Sequence, residues 1–161
     1  MIYVEEVIKG EMIQIIAYER LIMLVKEIMI KDVITIHPQN TVYDGCLLYR
    51  DKKVGCLVVE DKGTCTGIVT ERDIIERTIC EGKNPKTTSI QDIMSSNIKT
   101  VDALESIESA LTLMETHKIK KLPVMNNQNI VGIITVTDIS KAKPDISKRF
   151  IESWVKPRWK D

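Results

Sequence analysis

The chain has 161 residues, 43% of them hydrophobic and 29% charged, with Lys plus Arg and Asp plus Glu equal at 23 each. That length suits one compact domain or two small ones, and zero net charge argues against a general nucleic-acid or membrane-surface binder. Its four cysteines, Cys46, Cys56, Cys65 and Cys80, have neither C-x-x-C spacing nor a His at ligand distance, so no metal site is legible.

In chain order, residues 1–27 read as a helical extension, with a helix from about Glu11 to Glu27. Its longest uncharged run, Met12 to Tyr18, falls far below the roughly 20 residues of a membrane span. The apolar residues cover more than one helical face, which predicts burial on two sides, at a subunit contact. Cys46 and Cys56 lie in apolar runs and read as small buried hydrophobes. Thiols without a signal peptide point to a reducing cytoplasm.

From Ile28 the chain repeats itself. GIVTERDI at 67–74 returns as GIITVTDI at 132–139, an offset of 65 (132 minus 67). At that offset residues 28–75 align with 93–140 without a gap. Identities include Ile28/Ile93, Met29/Met94, Thr35/Thr100, Leu57/Leu122, Val59/Val124, Gly67/Gly132, Thr70/Thr135 and Asp73/Asp138. A gapless register of this length means two copies of one supersecondary unit. We bound unit one at 28–82, a linker at 83–92 and unit two at 93–143.

Each unit reads β-α-β-β-α. A short extended segment (VITI or NIKTV) precedes a helix whose N-cap is Thr41 or Ser106. In the second copy Ile107, Ala110, Leu111 and Met114 form one apolar helical face. An apolar strand (CLVVE or KLPVM), a turn (DKGT or NNQN) and a second strand follow. The last helix begins near the Asp. Neither copy buries a generous core alone, so the expected fold is α/β (α+β), with the two units packed sheet against sheet about a pseudo-twofold axis. Residues 144–161 read as a C-terminal helix and a basic aromatic tail. Phe150 and Trp154 share a face there and Pro157 ends the helix. Packing against the module or a second subunit is preferred over stacking on nucleic acid.

Thr-x-x-Asp at a strand-to-helix junction has two readings. Thr and Asp are favoured at helix starts whatever the function. Equally, a helix N-terminus offers N–H donors to a phosphate, a Thr hydroxyl can contact phosphate or sugar, and a carboxylate can accept from both vicinal hydroxyls of a ribose.

Paired units containing KIKKLPV (118–124) and ending G-h-h-T-x-x-D resemble a CBS-domain pair, the Bateman module. The resemblance covers residues 28–140. Copy one departs from it with Val58 where the pattern prefers Pro. The resemblance implies adenosine ligands (AMP, ADP, ATP or S-adenosylmethionine), held by the Asp of one copy and strands of the other. Carried over, site one takes Thr70, Arg72, Asp73, Lys99, Thr100, Ile119 and Lys120. Site two takes Ile34, Thr35, Val54, Gly55, Thr135, Thr137 and Asp138. Arg72, Lys99 and Lys120 are replaced by Thr137, Ile34 and Gly55, so site two is expected to lack these cations and to discriminate less by phosphate number. The resemblance also implies a homodimer.

No Walker motif, paired catalytic carboxylates or H-E-x-x-H occurs, and His37 and His117 stand apart from any Ser or Cys nucleophile. His117 reads as a helix C-terminal cation, with phosphate contact by it or Lys118 a lesser option. The chain is therefore expected to be a non-catalytic, metal-free ligand sensor that needs no cofactor and signals to an unidentified effector protein. The alternatives are a dimerisation protein with vestigial sites or a nucleic-acid binder acting through its tail.

Overall fold

The computed structural model describes residues 22–127, 129–146 and 148. The Phe150/Trp154 face, Pro157 and the 11–21 part of the expected N-terminal helix lie outside those residues.

Among the described residues the first element is a one-turn helix α1 (Val25–Ile28). Unit one then runs β1 (Thr35–Ile36), α2 (Val42–Lys52), β2 (Cys56–Asp61), β3 (Thr64–Thr70) and α3 (Glu71–Ile74), which continues as a π-helical turn over Ile75–Ile79. A 3-10 turn (Ile90–Asp92) leads into unit two: β4 (Val101–Asp102), α4 (Ile107–His117), β5 (Lys121–Asn126), β6 (Asn129–Thr135) and α5 (Val136–Ala142). The β-α-β-β-α order appears in both copies. Each forms a three-stranded sheet, β1-β2-β3 or β4-β5-β6, with a parallel first pair and an antiparallel second pair. The first strands are shorter than VITI and NIKTV suggest, at two residues each.

Local chemistry sets the helix ends. The Thr41 hydroxyl accepts from Asp44 N–H at 3.1 Å while Thr41 N–H donates to the Asp44 carboxylate at 2.9 Å, a reciprocal cap. Ser106 accepts from Ser109 N–H at 3.0 Å. Both long helices stop at a lysine in the left-handed region, Lys53 and Lys118, each with φ of 53°. The central strands are buried on both faces, with Leu57, Val58, Leu122 and Val124 wholly covered. On α4, Ile107, Ala110, Leu111 and Met114 are buried, as their spacing predicts.

The two units exchange their lead-in segments. Val25, with Met23, Ile28 and Met29, packs into the core of unit two. Ile90 and Ile93, with Met94, pack into the core of unit one. Backbone bonds seal each exchange: Ile30 and Ile133 trade N–H and C=O at 2.8 and 2.9 Å, and Ile68 and Ser95 do so at 3.0 and 2.9 Å. A third core lies between the sheets, built on Cys56, Val58 and Ile133.

This exchange corrects the expectation of a helix running unbroken to Glu27. Leu24 is extended (φ −87°, ψ 151°), and the described helix starts at Val25. Met23 C=O instead accepts from Ile107 N–H at 3.0 Å, and Val25 N–H donates to Glu105 C=O at 2.9 Å. Bonds to the other unit take the place of a helical ladder there.

Candidate ligand-binding site

The repeated Thr and Asp hold each other in the same way twice. In unit one the Asp73 carboxylate Oδ2 accepts from Thr70 N–H at 2.8 Å and Thr70 Oγ1 at 2.6 Å, while Asp73 N–H donates to Thr70 Oγ1 at 3.3 Å. In unit two the corresponding distances for Thr135 and Asp138 are 2.9, 2.6 and 3.3 Å. The capping role is thus present in both copies, and it occupies one carboxylate oxygen each time.

The second oxygen distinguishes the copies. Asp73 Oδ1 lies 3.2 Å from Arg77 Nη2. Arg77 also donates from Nη1 to Ile93 C=O at 2.7 Å and to Ser95 Oγ at 3.3 Å, both on the lead-in of unit two. At the offset of 65, Arg77 corresponds to Ala142, so α5 carries no such clamp. Tyr49 from α2 reaches the same junction. Its hydroxyl donates to Val69 C=O at 2.5 Å, and burial pushes its phenol well above the usual range.

Two cavities open between the units, each lined by both. Cavity one, about 700 Å³, takes Thr70, Arg72 and Asp73 from unit one with Lys99, Ile119 and Lys120 from unit two. Cavity two, about 590 Å³, takes Thr135 and Thr137 from unit two with Ile34, Val54 and Gly55 from unit one. Both volumes lie within the ordinary range for small-molecule sites. Three expected residues do not line them. Thr35 on β1 and Thr100 just before β4 are exposed, outside the lining. Asp138 stays in its cap and is not part of the lining of cavity two.

The cavities also contain Lys53 and Lys121, expected at neither site, and His117 and Lys118, expected only as lesser phosphate contacts. Lys53 lines cavity two, and its repeat counterpart Lys118 lines cavity one with His117. Their left-handed helix stops turn these residues toward the gap between units. For Lys53 the one prior signal is that lysine recurs at both positions. Lys120 and Lys121 line both cavities. The expectation that site two lacks the cations is therefore overturned. Gly55 leaves space on unit one, and Lys121 of unit two extends over it. An excess remains in cavity one, where Arg72, Lys99 and Lys118 join them against Glu71 and Asp73. In cavity two Lys53 joins them against Asp32. Arg72 lies 3.4 Å from Glu76, an exposed ion pair that a ligand anion can displace at little cost.

The cysteines behave as core residues to different degrees. Cys56 is buried, Cys46 and Cys65 are half-buried, and Cys80 is exposed. Burial pushes the Cys56 thiol up, opposed by the Lys121 ammonium. Among the described residues no group of three or more His, Cys, Asp or Glu could hold a metal ion, and no helix is long and apolar enough to cross a membrane.

Known proteins share this fold. The family model described as CBS domain matches twice, at residues 25–79 and 90–145. The CBS domain-containing protein YhcV of Bacillus subtilis is 32% identical over 116 residues, covering 72% of this chain and 82% of that protein. The crystal structure of the CBS-domain pair of protein MJ0100, in complex with 5-methylthioadenosine and S-adenosyl-L-methionine, superposes with a TM-score of 0.70 at 28% identity, covering 77% of this chain and 98% of that one. A hexameric CBS-CP12 protein from bloom-forming cyanobacteria superposes with a TM-score of 0.68 at 33% identity, over 73% of this chain and 66% of that one.

Proposed function

This chain belongs to the CBS-domain family as a tandem pair, and on that premise we propose that it is a non-catalytic sensor of adenosine-containing ligands, with phosphate-bearing forms favoured in cavity one. The observation that carries the reading is the composition of cavity one. A capped Thr70–Asp73 pair at a helix start, apolar side chains of the other unit such as Ile98 and Ile119, and several cations meet in one space. The apolar residues suit the faces of a base, the Thr–Asp pair suits a ribose, and Arg and Lys suit phosphates through charge-assisted hydrogen bonds. The methylthioadenosine and S-adenosylmethionine bound by the MJ0100 pair support the adenosine part of the reading.

Calorimetric titration with AMP, ADP, ATP and S-adenosylmethionine tests it. The expected result is saturable binding, tighter for ADP and ATP than for AMP in cavity one and weakening as salt rises. Absence of binding by all four would leave the structural alternative, an interaction module with vestigial sites.

A second observation supports self-association. Ile75 and Ile79, one turn apart after β3, are 55% and 57% exposed. Two large aliphatic side chains on one exposed helical face suit a contact with another copy. Ligand binding between the units would then reach an effector protein through a change in how the units or the copies meet. Sedimentation at micromolar concentration checks the association, with a mass of two chains or a multiple of two expected.

A further inference from the structure

The centre of the molecule is chemically lopsided. At the offset of 65, Gly55 and Cys56 of unit one correspond to Lys120 and Lys121 of unit two. Cys56 and Lys121 both begin the central strand of their sheet, and each pairs with the motif threonine beside it, Cys56 with Thr70 and Lys121 with Thr135. The side chain of Lys121 starts beside the threonine of cavity two and crosses to unit one, where its ammonium donates to the Gly55 carbonyl. Gly55 makes room for this crossing. A Cβ built on it would lie 2.7 Å from Lys121 Nζ. Gly55 and Lys121 both line both cavities.

We propose that Lys121 is a phosphate-reading residue shared by the two cavities, so that two phosphate-bearing nucleosides compete for it. An ammonium is a compact point charge on a flexible stem, and it follows the nearest strong anion. A phosphate in one cavity draws Lys121 from the Gly55 carbonyl and away from the other cavity. The second phosphate then arrives where a cation has left and another anion has settled. Each ligand weakens the other by the same factor, because coupling between binding equilibria is reciprocal. A nucleoside without phosphate leaves Lys121 on Gly55 and is not coupled in this way. The inference rests on the proposed reading of both cavities as adenosine-ligand sites, and it adds a residue and a rule that this reading does not contain.

The test is a site-resolved NMR titration with ADP and with adenosine, following the amides of Thr70 for cavity one and Thr135 for cavity two. The Kd of ADP in cavity two is compared between the parent, where cavity one fills first, and Asp73→Ala, where cavity one is weakened and cavity two is titrated at ADP concentrations that leave cavity one largely empty. Cavity two is expected to bind ADP about tenfold more tightly in Asp73→Ala, while its affinity for adenosine stays the same. Adding Lys121→Met should bring the ADP ratio close to one. Gly55→Ala provides a second variant that keeps the charge. Its Cβ displaces only the far end of a flexible side chain, and it should reduce the ratio too. An ADP ratio unchanged by Lys121→Met, or an equal ratio for adenosine, overturns the inference and leaves the proposed function standing. Failure of both probes to shift either amide overturns the two together.

Discussion

Asp73 and Asp138 hold the same motif position but have different neighbours. Each carboxylate closes a cap with its threonine, but only Asp73 also meets an arginine, and Arg77 is tied in turn to unit two. We expect Asp73→Ala to weaken ADP binding in cavity one by roughly tenfold to more than a hundredfold, from loss of a charged hydrogen-bond acceptor. Asp73→Ala should also lower the unfolding free energy more than Asp138→Ala does, by about 1 kcal/mol or less, since the Arg77 side chain is 41% exposed and solvent screens the pair. Urea unfolding of the two variants gives the difference. Asp44 permits a pH prediction. Bonds from Thr41 hold its carboxyl below the ordinary 3.8 in the folded chain. A lowered folded value means that the stabilisation is present above the unfolded pKa and is lost as pH falls through the folded one. Thermal unfolding temperature should therefore drop below about pH 4, and less steeply in Asp44→Asn.

At the scale of elements, the glycines of GIVT and GIIT answer to close approach. A Cβ on Gly67 would lie 2.6 Å from Met94 Sδ and 3.0 Å from the Ser95 carbonyl, and one on Gly132 would lie 2.6 Å from Met29 Sδ and 3.0 Å from the Ile30 carbonyl. The methionine ends can move, but the carbonyls belong to the bridges that seal the exchanged lead-ins. Gly67→Ala and Gly132→Ala should each cost about 1–3 kcal/mol by forcing those segments outward, which denaturant midpoints would show. Much of this element structure is legible in the sequence. Capping residues announce Val42 and Ile107 as helix starts, the offset of 65 aligns the strands, and the Thr–Asp pair locates both junctions. The partner of each lead-in is not legible. Ile28-Met29 and Ile93-Met94 match each other and so do Gly67 and Gly132. Identity within a repeat cannot say whether a segment packs on its own unit or on the other. The same ambiguity hid Lys53 and Lys121, whose roles depend on what the opposite copy places across the gap.

At the scale of the whole molecule, the exposed pair Ile75 and Ile79 makes a prediction separable from ligand binding. Ile75→Lys with Ile79→Lys should shift the sedimenting species toward a single chain at micromolar concentration, and an unaltered mass would assign self-association to another surface. The exchange of lead-ins has a consequence for the birth of the chain. As the polypeptide leaves the ribosome, unit one lacks Ile90 and Ile93, which complete its core, until synthesis has passed them. Val25 and Met23, made early, have no core to enter until unit two follows. Each half is thus an obligate client of the other, and neither should mature while nascent. A chain severed at Gly82 offers a direct demonstration. Residues 1–82 and 83–161 should each stay unstructured or aggregate alone, yet reconstitute a native amide spectrum when produced together, each fragment handing the other the piece it was made without.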